Sequence, residues 1–312
     1  MPYVRSGSAT VYFNFYQRER AGRRNRPTLL LAHGFLMDES MFEPMREPLA
    51  DAGIDLVTID ARCHGRTQSP DGEPFSYWDL AADGLAVLDE LGIERAVVGG
   101  MSQGGYAALR MALLAPERVQ GLALIDTEGG ACSPSELAFY REFFERWTGS
   151  EPLAPLVAEL APQMIGGSDP RLWRAWTGRW YGSDRQAIAP AARCLMDRRS
   201  VLHRLPEITA PALVVRGSHD ATSTAQKSEA LAAGLSGADG VVTIPGAGHG
   251  AAWTHPEVIV PLLIRLVRRA TARHESRPVR ALTAPWTTRR AERESRAARQ
   301  DPGPTASLES AR

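Results

Sequence analysis

The chain has 312 residues, and its 36 Lys and Arg residues balance 36 Asp and Glu residues, so its formal net charge is zero. This balance argues against a nucleic-acid-binding protein. With 44% hydrophobic and 23% charged residues, the composition is typical of a folded globular protein. It excludes a chain that is disordered throughout.

Cysteine spacing and apolar runs limit the cellular context. Cys63, Cys132 and Cys194 stand far apart without a C-x-x-C pair, which indicates neither a disulfide framework nor a zinc site. The first eight residues lack the apolar run of a signal peptide, and no stretch reaches the roughly 18 apolar residues of a membrane helix. We expect a cytoplasmic protein with a small-molecule substrate, no metal or cofactor, and no nucleic-acid or membrane partner. Its oligomeric state stays open.

Short apolar runs alternate with segments of helical periodicity from residue 27 onward. This alternation predicts an α/β fold with a mostly parallel, doubly wound sheet, because strands buried on both faces are apolar throughout. Ahead of it, Ala9–Tyr16 alternates apolar and polar residues and predicts an antiparallel edge strand, followed by an Arg-rich turn at 18–26. The predicted parallel strands are Thr28–Ala32, Leu56–Ile59, Ala96–Gly99, Val119–Ile125, Ala212–Val215 and Val241–Ile244. The predicted helices are Met41–Ala52, Tyr77–Leu91, Gln103–Leu114, Ala225–Leu235 and Pro256–Arg269.

About 80 residues separate the strands that end at Ile125 and begin at Ala212. Compact domains rarely contain loops of that length without secondary structure, so we predict a helical insertion over 131–205. Residues 1–130 and 206–270 then form one core domain. Two interpretations are open for four tryptophans of the insertion: they form its own core, or they line a substrate cavity. Both can hold for different tryptophans. The four are Trp147, Trp173, Trp176 and Trp180.

The last segment, 271–312, loses the alternation of strands and helices. It is rich in Arg, Ala, Ser and Pro, and we predict a disordered tail. It contains nine arginines and five acidic residues, so its charge is +4 (9 − 5), and the preceding residues carry −4 (27 − 31). The formal net charge of zero is therefore the sum of a negative charge on residues 1–270 and a positive charge on the tail.

The sequence Gly100-Met101-Ser102-Gln103-Gly104 joins a predicted strand to a predicted helix. This is the context of a G-x-S-x-G nucleophile elbow, in which small residues allow a strained turn and a close approach of strand and helix. A serine hydroxyl needs a base to become a nucleophile, and the base needs a third group to hold its tautomer. The motif therefore predicts further catalytic residues elsewhere in the chain.

Asp220 and His249 each follow a predicted strand, and the chain order of serine, acid and histidine is that of α/β-hydrolases. We therefore predict Ser102, Asp220 and His249 as the catalytic residues. Asp126 is the rival acid, because it also follows a strand, but the Gly-x-x-Asp context of residues 217–220 and the chain order favour Asp220. His33 and His64 lie beside glycines and are interpreted as supporting their loops by hydrogen bonds. The remaining histidines are interpreted as bystanders: His203, His219, His255 and His274.

Attack on an acyl carbon creates an oxyanion that backbone N–H groups can stabilise. We predict the N–H groups of Gln103 and Phe35 as these donors, because Gln103 follows the nucleophile and Phe35 lies in the loop after the first parallel strand. Phe35, Met101 and Trp253 are also assigned to substrate binding.

The residues above make the chain resemble the α/β-hydrolase fold superfamily, of the capped serine esterase and lactonase type, over about Thr28 to Arg269. His33-Gly34-Phe35 matches its oxyanion loop, residues 60–67 match its D-x-R-G-H-G-x-S loop, and the serine, acid and histidine match its triad. The resemblance implies that the insertion at 131–205 is a cap. Two departures stand out: Cys63 replaces a glycine, which suggests a differently shaped loop, and Thr254 replaces a frequent glutamate.

The leading hypothesis is a serine hydrolase that cleaves a carboxylic ester or lactone through an acyl-enzyme. An aspartate nucleophile, as in related epoxide hydrolases and dehalogenases, is excluded by Ser102. The alternative is carbon–carbon bond hydrolysis, or perhydrolysis of the cofactor-free haloperoxidase type, at the same triad. A third hypothesis, a non-catalytic small-molecule-binding protein with this fold, is weakened because no triad residue is missing.

Overall fold

A computed structural model describes residues 2–17, 26–166 and 169–275, together with positions 293 and 296. Most of the predicted Arg-rich turn at 18–26 lies outside the described residues. The same holds for the predicted tail from 276 onward, apart from Arg293 and Arg296.

One sheet of eight strands, in the order β1-β2-β4-β3-β5-β6-β7-β8, is the framework of the described chain. Strands β3 to β8 pair in parallel, whereas β1 and β4 each pair antiparallel to β2. The prediction of a mostly parallel α/β sheet is confirmed. The strands are β1 (Tyr3–Ser6), β2 (Ala9–Tyr16), β3 (Thr28–Ala32), β4 (Asp55–Ile59), β5 (Ala96–Met101), β6 (Val119–Ile125), β7 (Ala212–Gly217) and β8 (Ala238–Ile244).

Ala9–Tyr16 is a strand with the predicted bounds, but the prediction that it is an edge strand is wrong. Strand β1 pairs outside it, with Tyr3 opposite Tyr12 and Ser6 opposite Ala9. Only Gly7 and Ser8 separate the two strands, and Gly7 has a φ of +56°, a backbone conformation that glycine adopts without strain. A tight hairpin therefore covers the predicted edge.

Helices lie on both faces of this sheet. Those in the described residues are α1 (Arg46–Asp51), α2 (Tyr77–Glu90), α3 (Gln103–Leu114), α4 (Pro134–Thr148), α5 (Leu153–Met164), α6 (Pro170–Gly182), α7 (Ala189–Met196), α8 (Ala225–Gly234), α9 (Ala251–Thr254) and α10 (Pro256–Glu275). Two 3-10 segments, Glu39–Met45 and Leu202–Glu207, complete the set.

Two predicted helices differ from the observed ones by more than a single residue at one end. The helix predicted from Met41 is 3-10 as far as Met45 and α-helical from Arg46; Pro44 lies inside its first part and cannot donate a backbone hydrogen bond. Helix α10 continues to Glu275, so the predicted tail boundary at 271 falls inside a helix. Ala270 is fully buried, and packing extends the helix beyond the residues whose periodicity is visible in the sequence.

The core consists of two apolar layers, one on each face of the sheet. Strand β3 illustrates the division: Leu29 and Leu31 belong to one layer, and Leu30 and Ala32 to the other. Successive side chains of a strand point to opposite faces, so a strand buried on both faces must be apolar throughout. This is the reason that the unbroken apolar runs predicted these strands correctly.

Helices α4 to α7 lie between β6 and β7, inside the predicted insertion 131–205. Helix α4 begins with a capping box, in which Ser133 and Glu136 each accept a hydrogen bond from the other's backbone N–H. Such caps satisfy the first N–H groups of a helix. We call residues 131–205 the helical insertion.

An ion-pair cluster joins both ends of the helical insertion to α8. Lys227, the only lysine in the chain, contacts Glu128 at 2.9 Å and Glu136 at 2.6 Å, and Arg198 contacts Glu128 at 2.9 Å. The Lys227 ammonium also donates to the Thr222 carbonyl at 3.1 Å. The cluster contains two cations and two anions, so each of these partly buried charges has a partner of opposite sign.

Replacing Lys227 with Met should lower the free energy of unfolding by about 1–3 kcal/mol, because three charge-assisted hydrogen bonds are lost. Urea unfolding measures the difference. Arg171→Met is the matched control: its exposed ion pair with Asp169 should contribute little, because solvent screens it. Equal effects of the two substitutions would contradict a stabilising role for the cluster.

Candidate active site

Ser102 lies at the sharp turn between β5 and α3. Its φ of +52° and ψ of −114° are rare for a residue other than glycine. A Cβ atom on Gly100 or Gly104 would lie 2.2 or 2.0 Å from the Ala32 carbonyl oxygen. Glycine at both positions lets the turn approach β3, and this packing holds the strained serine in place.

Asp220 and His249 meet beyond the carboxyl ends of β7 and β8. The His249 Nδ1 atom lies 2.9 Å from Asp220 Oδ2, and a carboxylate in this position makes Nδ1–H the donor. The other carboxylate oxygen accepts the N–H groups of Thr222 at 2.8 Å and Ser223 at 3.0 Å. Asp220 is thereby fixed, and it orients the imidazole.

The electrostatics of this pair are set by burial and mutual attraction. Burial alone would raise the pKa of Asp220, but the charge and hydrogen bond of His249 hold it below its ordinary value. Burial alone would lower the pKa of His249, but Asp220 raises it above its ordinary value. His249 is therefore a stronger base than a free imidazole.

Asp126, the rival acid, has a different set of contacts. It is fully buried with a φ of +46°, and its two oxygens accept the N–H groups of Gly217 at 2.7 Å and Ala251 at 3.1 Å. Burial and the neighbouring charge of Asp220 raise the pKa of Asp126 well above its ordinary value. It links β7 to the segment that follows His249, whereas the imidazole itself bonds to Asp220.

The predicted oxyanion donors, the backbone N–H groups of Phe35 and Gln103, have no protein acceptor in the described chain. A Cβ on Gly34 would lie 2.2 Å from Met101 Sδ, so the loop after β3 packs directly on the residue before Ser102. Within the described chain the Ser102 hydroxyl forms no hydrogen bond with His249.

The 60–67 loop supports this arrangement. His33 and His64 do form loop-supporting hydrogen bonds, accepting the N–H groups of Ala61 at 2.9 Å and Leu36 at 3.1 Å. Burial, and then the neighbouring His33, lowers the pKa of His64 to about 3. The interpretation of both histidines as loop supports is confirmed.

Cys63 has a φ of +64°, in the left-handed region that favours glycine. The expectation of a differently shaped loop stays a prediction. The half-buried thiol contributes to a cavity between this loop and the helical insertion, and burial raises its pKa. Cys63 therefore adds a side chain to the lining of this cavity.

That cavity has a volume of about 230 Å³ and is bordered by Trp147, Trp176 and Trp180. All three are buried, and the indole N–H of Trp180 donates to the Leu36 carbonyl at 2.7 Å. These tryptophans therefore form the insertion's core and also border a cavity, as both interpretations allowed. Trp173 is absent from this lining and donates instead to the Gly166 carbonyl at 2.9 Å.

The residues assigned to substrate binding lie around the same region without lining that cavity. Phe35 packs edge-on against His64 and Phe144, and Met101 is fully buried. Trp253 contacts Trp176 edge to face, at 5.6 Å between ring centroids. Ser102 also lies outside the lining. The assignments of Phe35, Met101 and Trp253 stay predictions.

A polar contact between the helical insertion and the core was not predicted from the sequence. Arg179 of α6 lies 2.5 Å from Asp38, which follows the oxyanion loop, and also bonds to Ser40 at 2.6 Å. These residues are about 140 positions apart, and no local pattern pairs them. Only the position of Asp38 directly after the loop could have drawn attention to it.

No helix among the described residues is both long and apolar enough to cross a membrane. The same part of the chain holds no group of three or more His, Cys, Asp or Glu side chains that could bind a metal ion.

Comparison with known proteins adds to this geometry. Residues 27–256 match the model of a family described as the alpha/beta hydrolase fold. The chain is 28% identical over 279 residues to the rhodomycin D methylesterase of Streptomyces sp. (strain C5), covering 78% of this chain and 92% of the relative. It is 25% identical to a "Putative non-heme chloroperoxidase" of Synechocystis sp., covering 86% of this chain and 100% of the relative.

Solved structures resemble the chain over most of its length. An esterase from Thermogutta terrifontis superimposes with a TM-score of 0.76 at 25% identity, covering 86% of this chain and 98% of that one.

The 60–67 loop depends on Gly65, whose φ is +53° and whose Cβ would lie 2.1 Å from Asp60 Oδ2. Gly72 has a φ of +69°, and a Cβ there would have no atom within 4 Å, so Gly72→Ala suffers backbone strain alone. Gly65→Ala should lower the free energy of unfolding by about 2–3 kcal/mol more, because it also displaces the hydrogen-bonded Asp60. Urea unfolding tests this, and equal losses would contradict it.

Proposed function

The chain belongs to the α/β-hydrolase fold family and is a hydrolase, and from this premise we propose that it cleaves a carboxylic ester or lactone through Ser102, His249 and Asp220. The observation that carries the proposal is the 2.9 Å contact of His249 with Asp220. It lies at the sheet edge where the strained turn presents Ser102. An imidazole oriented by a carboxylate, beside a serine on such a turn, is what acyl transfer requires.

In the proposed reaction, His249 Nε2 takes the proton of the Ser102 hydroxyl as its oxygen attacks the substrate carbonyl. Asp220 holds the imidazole through Nδ1–H and stabilises the cation that forms. His249 then passes the proton to the leaving alcohol oxygen, and an acyl-enzyme remains. Water then loses a proton to His249 and attacks the ester carbon. As the second tetrahedral intermediate collapses, His249 returns this proton to the Ser102 oxygen, and the free acid and the starting enzyme are released.

The oxyanion of each tetrahedral intermediate would be stabilised by the N–H groups of Phe35 and Gln103. Neither donor has a partner among the described residues, so both are free to bind an incoming oxygen. Each preorganised donor of this kind contributes about 3–4 kcal/mol to the transition state. The two N–H groups are therefore as important to the proposal as the triad itself.

Relatives favour ester cleavage and leave a second candidate. The methylesterase and the esterase structure act, by their names, on esters. The chloroperoxidase relative favours perhydrolysis of the haloperoxidase type as the alternative reaction at the same triad. Carbon–carbon bond hydrolysis is the other alternative. Pocket shape and the access of water or peroxide separate these reactions, since the catalytic residues are shared.

We further propose that the helical insertion, 131–205, is a cap over a core formed by 1–130 and 206–275. The notional boundary at 270 is extended to 275 in this proposal, because helix α10 continues to Glu275. Phe35, Met101 and Trp253 are proposed to contact substrate. We also propose that the protein is cytoplasmic and that it has no nucleic-acid or membrane partner.

Replacing Ser102 with Ala should reduce kcat for 4-nitrophenyl acetate by a factor of about 10⁴ or more, because the nucleophile is removed. Steady-state hydrolysis with a circular-dichroism check of folding measures this. Ser236→Ala is the control: Ser236 bonds only weakly to the Ile208 carbonyl, at 3.5 Å.

Near-wild-type turnover by the Ser102→Ala protein would contradict the proposed mechanism. The alternative reactions would be favoured if the wild-type protein hydrolysed a vinylogous 1,5-diketone faster than it hydrolyses esters. They would also be favoured if it formed peracetic acid from acetate and hydrogen peroxide faster than it hydrolyses esters.

A further inference from the structure

Two buried histidines exchange hydrogen bonds between the oxyanion loop and the 60–67 loop. His33, in the first loop, accepts the N–H of Ala61 at 2.9 Å, and His64, in the second, accepts the N–H of Leu36 at 3.1 Å. Their ring centroids are 5.1 Å apart. We call this reciprocal pair, His33 and His64, the histidine clasp.

The contacts determine where the protons are. Each Nε2 atom accepts a backbone N–H and therefore carries no proton itself. Each Nδ1 atom faces a carbonyl of its own loop, Gly34 O at 2.7 Å from His33 and Arg62 O at 2.9 Å from His64. Both rings are thus neutral with the proton on Nδ1. A second proton on either ring would face an N–H and break the clasp.

The clasp acts on the peptide group that carries the predicted oxyanion donor. The Gly34 carbonyl and the Phe35 N–H belong to one planar trans peptide, so they point in opposite directions. His33 Nδ1–H holds that carbonyl, and the Phe35 N–H must then point away from His33. His64 holds the following N–H, that of Leu36, whose φ is +59°. Successive peptides are therefore fixed by the two rings.

The second loop is itself rigid enough to serve as the anchor. Asp60 accepts the N–H groups of Glu39 at 2.8 Å and Arg66 at 2.7 Å, and the Thr67 hydroxyl donates to the Asp60 carbonyl at 2.6 Å. His33 is fully buried and His64 nearly so, so bulk solvent has little access to the two rings. The clasp transmits this rigidity to the oxyanion loop.

We propose that His33 and His64 are positioning residues that aim the Phe35 N–H at the oxyanion, a role that rests on the proposed function. Neither ring touches the reacting atoms. Their effect is on the direction of one donor, and misdirecting such a donor slows the chemical step while substrate binding is nearly unchanged.

Two substitutions of His64 separate its hydrogen bonds. His64→Gln places an amide oxygen near the position of Nε2 and keeps an acceptor for Leu36. His64→Asn places its amide near Nδ1, which keeps the donor to Arg62 and loses the acceptor. We expect kcat for an aryl ester to fall about 10- to 100-fold in the Asn variant with KM within about threefold, and much less in the Gln variant.

The rate of Ser102 phosphonylation by a fluorophosphonate should follow the same order, because that reaction also places an oxygen on the oxyanion donors. Equal losses in the two variants, or a rise in KM alone, would overturn the clasp while Ser102→Ala still abolished activity. Activity that survived Ser102→Ala would overturn the proposed function, and the role of the clasp with it.

A measurement on the wild-type protein keeps the proposal testable if neither variant folds. Long-range ¹H–¹⁵N correlation spectra of ¹⁵N-histidine-labelled protein should show His33 and His64 as neutral rings protonated on Nδ1 at neutral pH. A signal from either ring protonated on Nε2, or on both nitrogens, would overturn the clasp.

Discussion

Buried carboxylates that accept backbone N–H groups hold the loops at the carboxyl edge of the sheet. Asp60 follows β4, Asp126 follows β6 and Asp220 follows β7, and each accepts two N–H groups. A buried carboxylate is costly unless hydrogen bonds compensate it. Each of these residues therefore stabilises only the loop geometry that supplies its donors, and the whole candidate site is built on those loops.

The three buried aspartates differ in what their carboxylate oxygens bind. Asp60 and Asp126 use both oxygens for backbone groups and serve the framework, whereas Asp220 keeps one oxygen for His249. The acid of the proposed triad therefore belongs to the same set of buried aspartates, and it differs from the others in that one of its oxygens binds a histidine. The Gly-x-x-Asp context and the chain order favoured Asp220 over Asp126. The contacts of Asp126 with Gly217 and Ala251 show that this residue joins two segments of the framework.

Most of the sheet and the elbow could be predicted because their signals are local. Thr28–Ala32 and Val119–Ile125 have the predicted bounds, since strands buried on both faces are continuously apolar. Strand β1 was missed because four residues with one exposed side chain carry little periodicity. The start of β8 was missed because Asp239 and Gly240, which are exposed, precede the apolar run.

What the sequence could not predict depends on pairings across the fold. His33 and His64 were recognised as loop supports, but their exchange of N–H groups requires two loops to meet in space. Likewise, no pattern links Arg179 to Asp38, or Lys227 to the ends of the helical insertion. The glycine-like backbone of Cys63 follows from the rigid loop around it, which overrides the preference of the side chain.

Covalent labelling of the native protein with a fluorophosphonate, followed by peptide mass spectrometry, tests whether Ser102 is a nucleophile activated by His249. We expect one adduct, on Ser102, whose formation slows greatly when His249 is replaced by Ala, because the imidazole activates the hydroxyl. An unlabelled Ser102, or labelling that is indifferent to His249, would contradict the proposal that these residues form a nucleophile and its base.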